Sequence, residues 1–330
     1  MTGIFGLVLV GCIEQHVNRQ EVVDVFIQEP SSTVDVLWVI DDSVSMAAEQ
    51  ERLAAGFGAF ASSLDASLID YHLGVITTDM DPDNPQAGLL QGSPSYLEPD
   101  PDTVSLFQQR VLVGTEGSGK EKGIAAAVAA VTEPLASGAN EGFLRERATL
   151  LLVFVSDEDD CSDGNALNDE PADACYTQGE ALVPVSELHA SLVGAKAGGG
   201  PVLAAGILGT EDDACTESWP GLRYEALIEA TGGWSGDICS ADYAGMLDTL
   251  GLTVLEQRTV FQLSYIAVES TIEVAVGEVA IAPDPVQGWT YDPDYSTLRF
   301  EGSYVPPRDS VISVTYEVLN GASVPDTEAL

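Results

Sequence analysis

The sequence predicts an α/β protein with a doubly wound, mostly parallel sheet, followed by a small C-terminal all-β module. Apolar segments of strand length alternate with helical patterns between residues 31 and 256, which is typical of a parallel sheet covered on both faces. After residue 257 the helical periodicity ends, and short β-branched segments punctuated by prolines follow. The chain has 330 residues and is 45% hydrophobic, so it can bury a sizeable core.

Each element follows from its own stretch of sequence. Strands of the parallel sheet are predicted at residues 36–40, 71–77, 150–155 and 202–208, and helices at 47–64, 120–131, 185–197, 222–231 and 241–250. In the module, residues 257–320, strands at 260–264, 271–276, 289–291, 297–300 and 311–316 are expected to form a small antiparallel sheet or half-sandwich. The apolar segment 22–27 is a candidate edge strand for that sheet. Residues 321–330 are expected to form a frayed tail.

The composition is strongly acidic. Lys and Arg total 12 against 53 Asp and Glu, which gives a formal net charge of -41. Global disorder is not expected, because it requires low hydrophobicity together with high charge. We predict a folded protein with an anionic surface that repels nucleic acid and anionic lipid, so a nucleic-acid partner is not expected. A saline habitat and a need for divalent cations both suit such a surface.

The first twelve residues, MTGIFGLVLVGC, contain an apolar run that is too short to span a bilayer but has the length of a signal-peptide core. Residues 9–12 resemble a bacterial lipoprotein signal, in which the cysteine, here Cys12, becomes the lipidated N-terminus. This implies an exported protein that is lipid-anchored in the bacterial cell envelope, at the outer membrane, and touches the membrane through the anchor only. Residues 13–30 then form a tether that includes the edge strand. No Lys or Arg precedes the run, so a buried N-terminal strand is the alternative.

Four further cysteines lie in one half of the chain: Cys161, Cys175, Cys215 and Cys239. An even set in an exported protein indicates disulfide bonds, and four cysteines allow three connectivities. We predict pairing between sequence neighbours, Cys161 with Cys175 and Cys215 with Cys239, each bond worth on the order of 3 kcal/mol. A zinc site is the competing interpretation, but the sequence has no CxxC motif and only three histidines.

The stretch DVLWVIDDSVSM, residues 35–46, is the strongest candidate for a functional site. An apolar strand ends in Asp41, Ser43 and Ser45, whose alternate spacing can present three oxygens to one point. In open α/β sheets ligands bind beyond the carboxyl ends of the strands, and oxygens completed by water suit Mg²⁺ or a similar hard cation. The alternative is a helix N-cap, which uses the same residue types without any metal.

The Asp41-x-Ser43-x-Ser45 pattern after an apolar strand resembles the metal-ion-dependent adhesion site of von Willebrand factor A (VWA) domains. Together with LGVITTDMD, GTEGSGKEKG and FVSDEDDC, it resembles more narrowly the exported VWA-domain lipoproteins of myxobacteria and relatives. The resemblance covers residues 31–256, about two thirds of the chain, and implies a Rossmann-like sheet with the metal at the carboxyl end of its first strand.

The resemblance also implies the remaining metal ligands. Asp157, in the Ser-Asp pair after the strand at 150–155, matches the second carboxylate of the pattern. Ser118, six residues before an apolar helix residue, matches the third position, with Thr115 as the alternative. The implied cation is Mg²⁺, with Mn²⁺ or Ca²⁺ as alternatives. A carboxylate from a protein partner would fill its open coordination position, so the domain is expected to bind and not to be an enzyme.

Other motifs point to weaker alternatives. Residues 114–120 match the phosphate-loop pattern GxxxxGK, but Glu121 stands where Ser or Thr should follow, so no nucleotide is expected. Asp79, Asp81 and Asp83 have calcium-loop spacing without the glycine and glutamate of an EF-hand. The sequence has no GxSxG motif, which argues against a hydrolase. A structural envelope protein, a calcium-binding surface protein and a hydrolase remain the rival functions.

Overall fold

The computed structural model describes residues 19–28, 33–66, 69–196, 200–210, 218–253, 259–301, 306–307 and 310–319. The predicted signal segment with Cys12, the start of the tether, Cys215 and the predicted tail lie outside these residues. Within the described chain, no helix is both long and apolar enough to cross a membrane. The first strand, β1, is Arg19–Ile27.

A five-stranded parallel sheet forms the larger part of the fold. Its strands are β2 Thr33–Ile40, β3 Asp70–Thr77, β4 Thr149–Ser156, β5 Val202–Leu208 and β6 Ser235–Asp237. They lie in the order β3-β2-β4-β5-β6, and every pairing is parallel. The α/β class and the parallel sheet are thus confirmed. The short β6 was missed because its sequence, Ser-Gly-Asp, carries no strand signal.

Helices cover both faces of this sheet, which makes it doubly wound. They are α1 Ala47–Ala66, α2 Thr103–Arg110, α3 Gly123–Val131, α4 Ala174–Thr177, α5 Val185–Ala195, α6 Leu222–Thr231 and α7 Tyr243–Thr253. Helices α1, α2 and α7 contribute to the core on one face, and α3, α5 and α6 contribute to the core on the other. Helix α2 was not predicted.

Strand β2 is buried on both sides, as parallel strands between two helix layers must be. On one face Trp38 makes edge-on ring contacts with Phe57, Phe60 and Phe107, at centroid distances of 6.0, 5.3 and 5.2 Å. On the other face Leu37 packs into the second core. Because the strand is held from both sides, the residues that follow its carboxyl end start from a fixed position.

The all-β module contains β7 Val260–Gln262, β8 Glu273–Val276, β9 Val279–Ile281, β10 Trp289–Asp292, β11 Thr297–Phe300 and β12 Val311–Leu319. These strands form two antiparallel sheets, in the orders β1-β12-β8-β9 and β10-β11-β7. The sequence predicted one small sheet or a half-sandwich and missed β9. Strand β1 pairs with β12 from Arg19 opposite Leu319 to Ile27 opposite Val311, so the N-terminal strand belongs to this module.

The module contacts the helices on one face of the parallel sheet. The ring of His189 in α5 meets Tyr295 edge-on at a centroid distance of 5.5 Å. The guanidinium of Arg299 in β11 donates a hydrogen bond to the Glu229 carbonyl in α6. These contacts place a buried histidine where the two parts of the molecule meet.

His189 predicts an acid-sensitive stability. Burial lowers its pKa from 6.5 to about 4, with the Asp292 charge opposing the shift. In the unfolded chain His189 takes up a proton below pH 6.5, whereas in the folded protein it does so only near pH 4. The contribution of neutral His189 to the free energy of unfolding is therefore fully present above pH 6.5 and decreases as the pH falls toward 4. Between pH 7 and pH 5 wild type should lose about 2 kcal/mol more than His189→Phe in urea unfolding. Parallel stability profiles would contradict the assignment.

Candidate metal centre at the carboxyl end of the parallel sheet

Strands β2 and β4 end side by side, and the predicted motif begins where they end. The Asp41 amide donates to the Val155 carbonyl at 3.0 Å, which aligns the two strand ends. The Asp41 carboxylate accepts hydrogen bonds from the Ser43 amide at 2.8 Å and from the Ser156 hydroxyl at 2.6 Å. The hydroxyl oxygens of Ser43 and Ser45 lie 3.1 Å apart. Ser43 precedes a 3-10 turn but makes no side-chain capping bond, so Ser43 does not act as the N-cap of that turn, whereas the Asp41 carboxylate accepts a backbone amide two residues on.

Asp157 joins this group from the end of β4. It is only 5% exposed, and the Ser45 hydroxyl interacts with its carboxyl. Its carbonyl accepts a hydrogen bond of 2.7 Å from the Trp219 amide, which anchors the loop that follows β5. The structure therefore brings together four of the predicted ligands: Asp41, Ser43, Ser45 and Asp157.

The loop before α3 reaches the centre differently from the prediction. The Gly117 amide donates to the Asp42 carbonyl at 2.8 Å, and a Cβ at Gly117 would lie 2.3 Å from the Asp42 carboxylate. The Ser118 hydroxyl accepts a bond from the Lys120 amide at 3.2 Å, within its own loop. Among the described residues, no hydrogen bond joins Ser118 or Thr115 to Asp41. Their roles as ligands stay predictions.

Glu121 is the side chain from this loop that enters the centre. Glu121 is 1% exposed and forms an antiparallel β-bridge with Asp79. Helix α3 therefore begins at Gly123 and not at residue 120 as predicted. One oxygen of the Glu121 carboxyl accepts a hydrogen bond from the Thr78 hydroxyl. The Glu121 carbonyl accepts a bond of 2.5 Å from the Cys161 amide. One signal for this role is visible in the sequence, because Glu121 closely precedes an apolar helix, Gly123–Val131, that packs into the core.

Five acidic side chains meet here, and burial raises the pKa of each. The pKa of Asp42 rises to about 6, through burial and then the Asp79 and Asp41 charges. The pKa of Asp157 rises to about 7, through burial and then the Asp41 charge. Burial, followed by the charge of Asp41, also raises the pKa of Glu121 and Glu158. Asp41 itself has a raised pKa because its burial outweighs its hydrogen bonds.

Three carboxylate oxygens in this group are buried and have no hydrogen-bond partner: Asp42 Oδ1, Glu121 Oε1 and Asp157 Oδ1. An unpaired buried acceptor is costly, and a charged one more so. A hard divalent cation is the natural partner for a set of carboxylate and hydroxyl oxygens. In the described chain, no group of three or more His, Cys, Asp and Glu side chains is arranged to hold a metal ion. A cation here therefore needs the serine hydroxyls or water as well.

Cationic side chains in the surrounding loops are bound elsewhere. The Lys120 ammonium donates to the Leu167 carbonyl. Lys122 is nearly buried and forms an ion pair of 2.7 Å with Asp163. These bonds connect both lysines to the loop after β4.

The Cys161–Cys175 bond is present as predicted and closes that loop. Cys239 is also disulfide-bonded, while Cys215, its predicted partner, lies outside the described residues. Disulfides of this kind persist in oxidising compartments. His72 lies at the other end of the sheet, where its Nδ1 is 2.8 Å from the Phe143 carbonyl, and so it does not meet the candidate centre.

The fold and site define a doubly wound α/β protein with a carboxylate-rich candidate cation centre at the switch point of its sheet. No protein-family model matches the chain, and no curated protein matches it. Two crystal structures of the pilus adhesin SpaC from Lactobacillus rhamnosus GG are similar at 13% identity, with TM-scores of 0.39 and, for an open conformation, 0.37. Each alignment covers 93% of this chain. The chain spans 42% of the adhesin in the first structure and 41% in the open conformation. Likeness at this level supports no functional argument, and VWA membership stays a prediction.

Proposed function

We propose that the centre binds a divalent cation, Mg²⁺ in the first place, and that the bound cation receives a carboxylate from a protein partner. The observation that carries this proposal is the group of three buried carboxylate oxygens without hydrogen-bond partners, all close to Asp41. Without a positive charge these carboxyls must repel one another or hold protons. A cation removes both costs.

The residues that would hold the cation follow strands β2 and β4. Asp41 and Asp157 would supply carboxylates and Ser43 and Ser45 would supply hydroxyls, with water completing the set. Glu121 would act on the cation through its negative charge beside Asp41, which the family pattern does not contain. When bound, the cation would supply positive charge that neutralises this cluster and attracts an outside carboxylate. Mn²⁺ and Ca²⁺ accept the same oxygen donors and are the alternatives.

Binding suits this site better than catalysis. The motif lies at the surface, since Val44 between the two serines is 82% exposed, so a partner can reach it. The centre contains carboxylates and hydroxyls, and His72 is remote from it. Export to the cell envelope is part of the same proposal and is supported by the disulfide bond. Lipid attachment at Cys12 belongs to the proposal on the sequence resemblance alone. The anchor is testable by mass spectrometry, which should find acylated Cys12 at the mature N-terminus.

Calorimetric titration with Mg²⁺ tests the cation site. Wild type should show one saturable site in 150 mM NaCl, which screens diffuse binding to the anionic surface. Asp41→Asn keeps the size of the side chain but removes its charge, and should weaken binding at least about tenfold, because a charge-assisted contact is worth roughly 1.5 to 3 kcal/mol.

Asp294→Asn is the matched control, because Asp294 is exposed in the β module and changes the net charge equally. It should titrate like wild type. Identical titrations of wild type and Asp41→Asn would refute the cation site and favour a structural or diffuse cation-binding surface protein. For the partner, a pull-down from envelope extract with and without chelator should give a protein that chelator releases.

A further inference from the structure

An exposed aromatic pair lies beside the candidate centre. Tyr176 belongs to the short helix α4 and Trp219 to the loop after β5, and their rings lie 5.3 Å apart between centroids with an interplanar angle of 33°. Tyr176 is 45% exposed and Trp219 is 56% exposed. Trp and Tyr side chains that stand on a fixed backbone are the residue types most often responsible for binding energy at protein interfaces.

Both aromatic residues are anchored next to the centre, Trp219 by a backbone hydrogen bond and Tyr176 by a neighbouring disulfide bond. The Trp219 amide donates to the Asp157 carbonyl at 2.7 Å, directly behind the candidate ligand. At Gly209 an added Cβ would lie 2.1 Å from the Trp219 carbonyl, so only glycine allows this close approach. Tyr176 follows Cys175, whose disulfide bond to Cys161 holds its short helix. The pair is therefore a preformed surface at a fixed place relative to the site.

The surroundings of the pair are negative. A hydrogen bond from the Tyr176 hydroxyl lowers the pKa of Glu158, against the larger raising effects of burial and of the Asp41 charge. Asp159 is close enough that its charge also acts on Tyr176. The nearby cation Arg223 already binds Asp160 at 3.1 Å and the Val183 carbonyl at 2.7 Å. Aromatic faces beside carboxylates favour a cationic side chain over an apolar one.

We propose that Tyr176 and Trp219 form a platform, with Glu158 at its edge, for an arginine side chain of the protein partner whose carboxylate reaches the cation centre. A planar guanidinium stacks on aromatic rings and pairs with carboxylates in the same plane, which an ammonium does less well. The chain's net charge of -41 favours a partner segment with positive charge near the acidic residue. This inference rests on the proposed function and specifies the chemistry of its partner.

Fluorescence anisotropy with labelled short peptides tests the platform on the full chain. One peptide contains a single Asp in a Gly/Ser background, and a series adds one Arg at increasing distance from that Asp. In Mg²⁺, the best Asp-and-Arg peptide should bind about two- to fivefold more tightly than the Asp peptide, which corresponds to the roughly 0.5 to 1 kcal/mol of a cation–π contact at an exposed site. Trp219→Ala should abolish that gain and leave the Asp peptide unchanged. Tyr265→Ala, which truncates an exposed tyrosine in the β module, should retain the gain.

The outcomes separate the two proposals. Mg²⁺-dependent binding of the Asp peptide, lost in Asp41→Asn, supports the proposed function whatever the arginine does. If arginine then adds no affinity at any distance, or if Trp219→Ala weakens the binding of both peptides equally, the platform is refuted and the cation site is not. Competition of the Arg-dependent gain by a neutral disaccharide would identify the rings as a sugar-stacking surface and would also refute it. If no peptide binds, both proposals fail for carboxylate ligands.

Discussion

Glu121→Gln is expected to stabilise the metal-free protein and to weaken Mg²⁺ binding, two effects of opposite direction from one substitution. In the metal-free protein Glu121 is a buried carboxyl beside Asp41, with one oxygen unpartnered. Glutamine keeps the acceptor for the Thr78 hydroxyl and replaces the unpartnered oxygen by an amide that can donate to the adjacent Asp41. Removing an unsatisfied buried acceptor should raise the free energy of unfolding by roughly 1 to 3 kcal/mol at pH 7.5.

The measurement is urea unfolding in EDTA and in saturating Mg²⁺. The free energy of unfolding of wild type should increase with the logarithm of the ratio of the Mg²⁺ concentration to the dissociation constant. That of Glu121→Gln should increase little. Glu278→Gln, in an exposed turn of the β module, is the control for the loss of one charge. A variant that is less stable than wild type in EDTA would show that Glu121 has a structural role and would remove it from the cation site.

The part of the site that sequence predicts well is the part determined by local pattern. Asp41, Ser43 and Ser45 follow a recognisable buried strand, and Asp157 follows another. Because parallel strands of one sheet end at the same edge, two such ends predict a meeting point without coordinates. The structure places these residues together, and the same reasoning correctly gave the doubly wound sheet and the separate all-β module.

Contacts that depend on a particular loop path were not predictable in this way. The VWA resemblance implies Ser118 or Thr115 as the third position and says nothing of Glu121, whose carboxyl enters the centre next to the backbone bridge between Glu121 and Asp79. In the sequence, Glu121 stands out only as the residue that breaks the phosphate-loop pattern. Strand β9 escaped notice because it is short and pairs with its neighbour through Gly277, which has a positive φ of 60°. Such details arise from tertiary packing and not from periodicity.

Asp35 shows the same limit at the opposite end of the sheet, and it leads to the largest expected loss of stability. This carboxyl is fully buried inside β2, where an apolar side chain would be ordinary. It accepts two bonds of 2.6 Å from Arg145, one from the backbone amide and one from the guanidinium. Arg145 also donates to the Val34 carbonyl at 3.0 Å. Burial raises the pKa of Asp35, and the bonds and charge of Arg145 oppose that rise.

Arg145→Met is therefore expected to lower the free energy of unfolding by roughly 3 to 5 kcal/mol at pH 7.5, because the buried Asp35 carboxylate loses the guanidinium charge and keeps only the bond from the backbone amide. The arginine lies 110 positions from Asp35 in the chain, which is why no sequence pattern joins them. Arg147→Met, an exposed arginine in the same loop, should change stability little. Adding Asp35→Asn to Arg145→Met should recover much of the loss in urea unfolding, because the amide carries no charge to bury. Additive losses in the double variant would mean that Arg145 stabilises the fold through its other contacts and not by neutralising the Asp35 carboxylate.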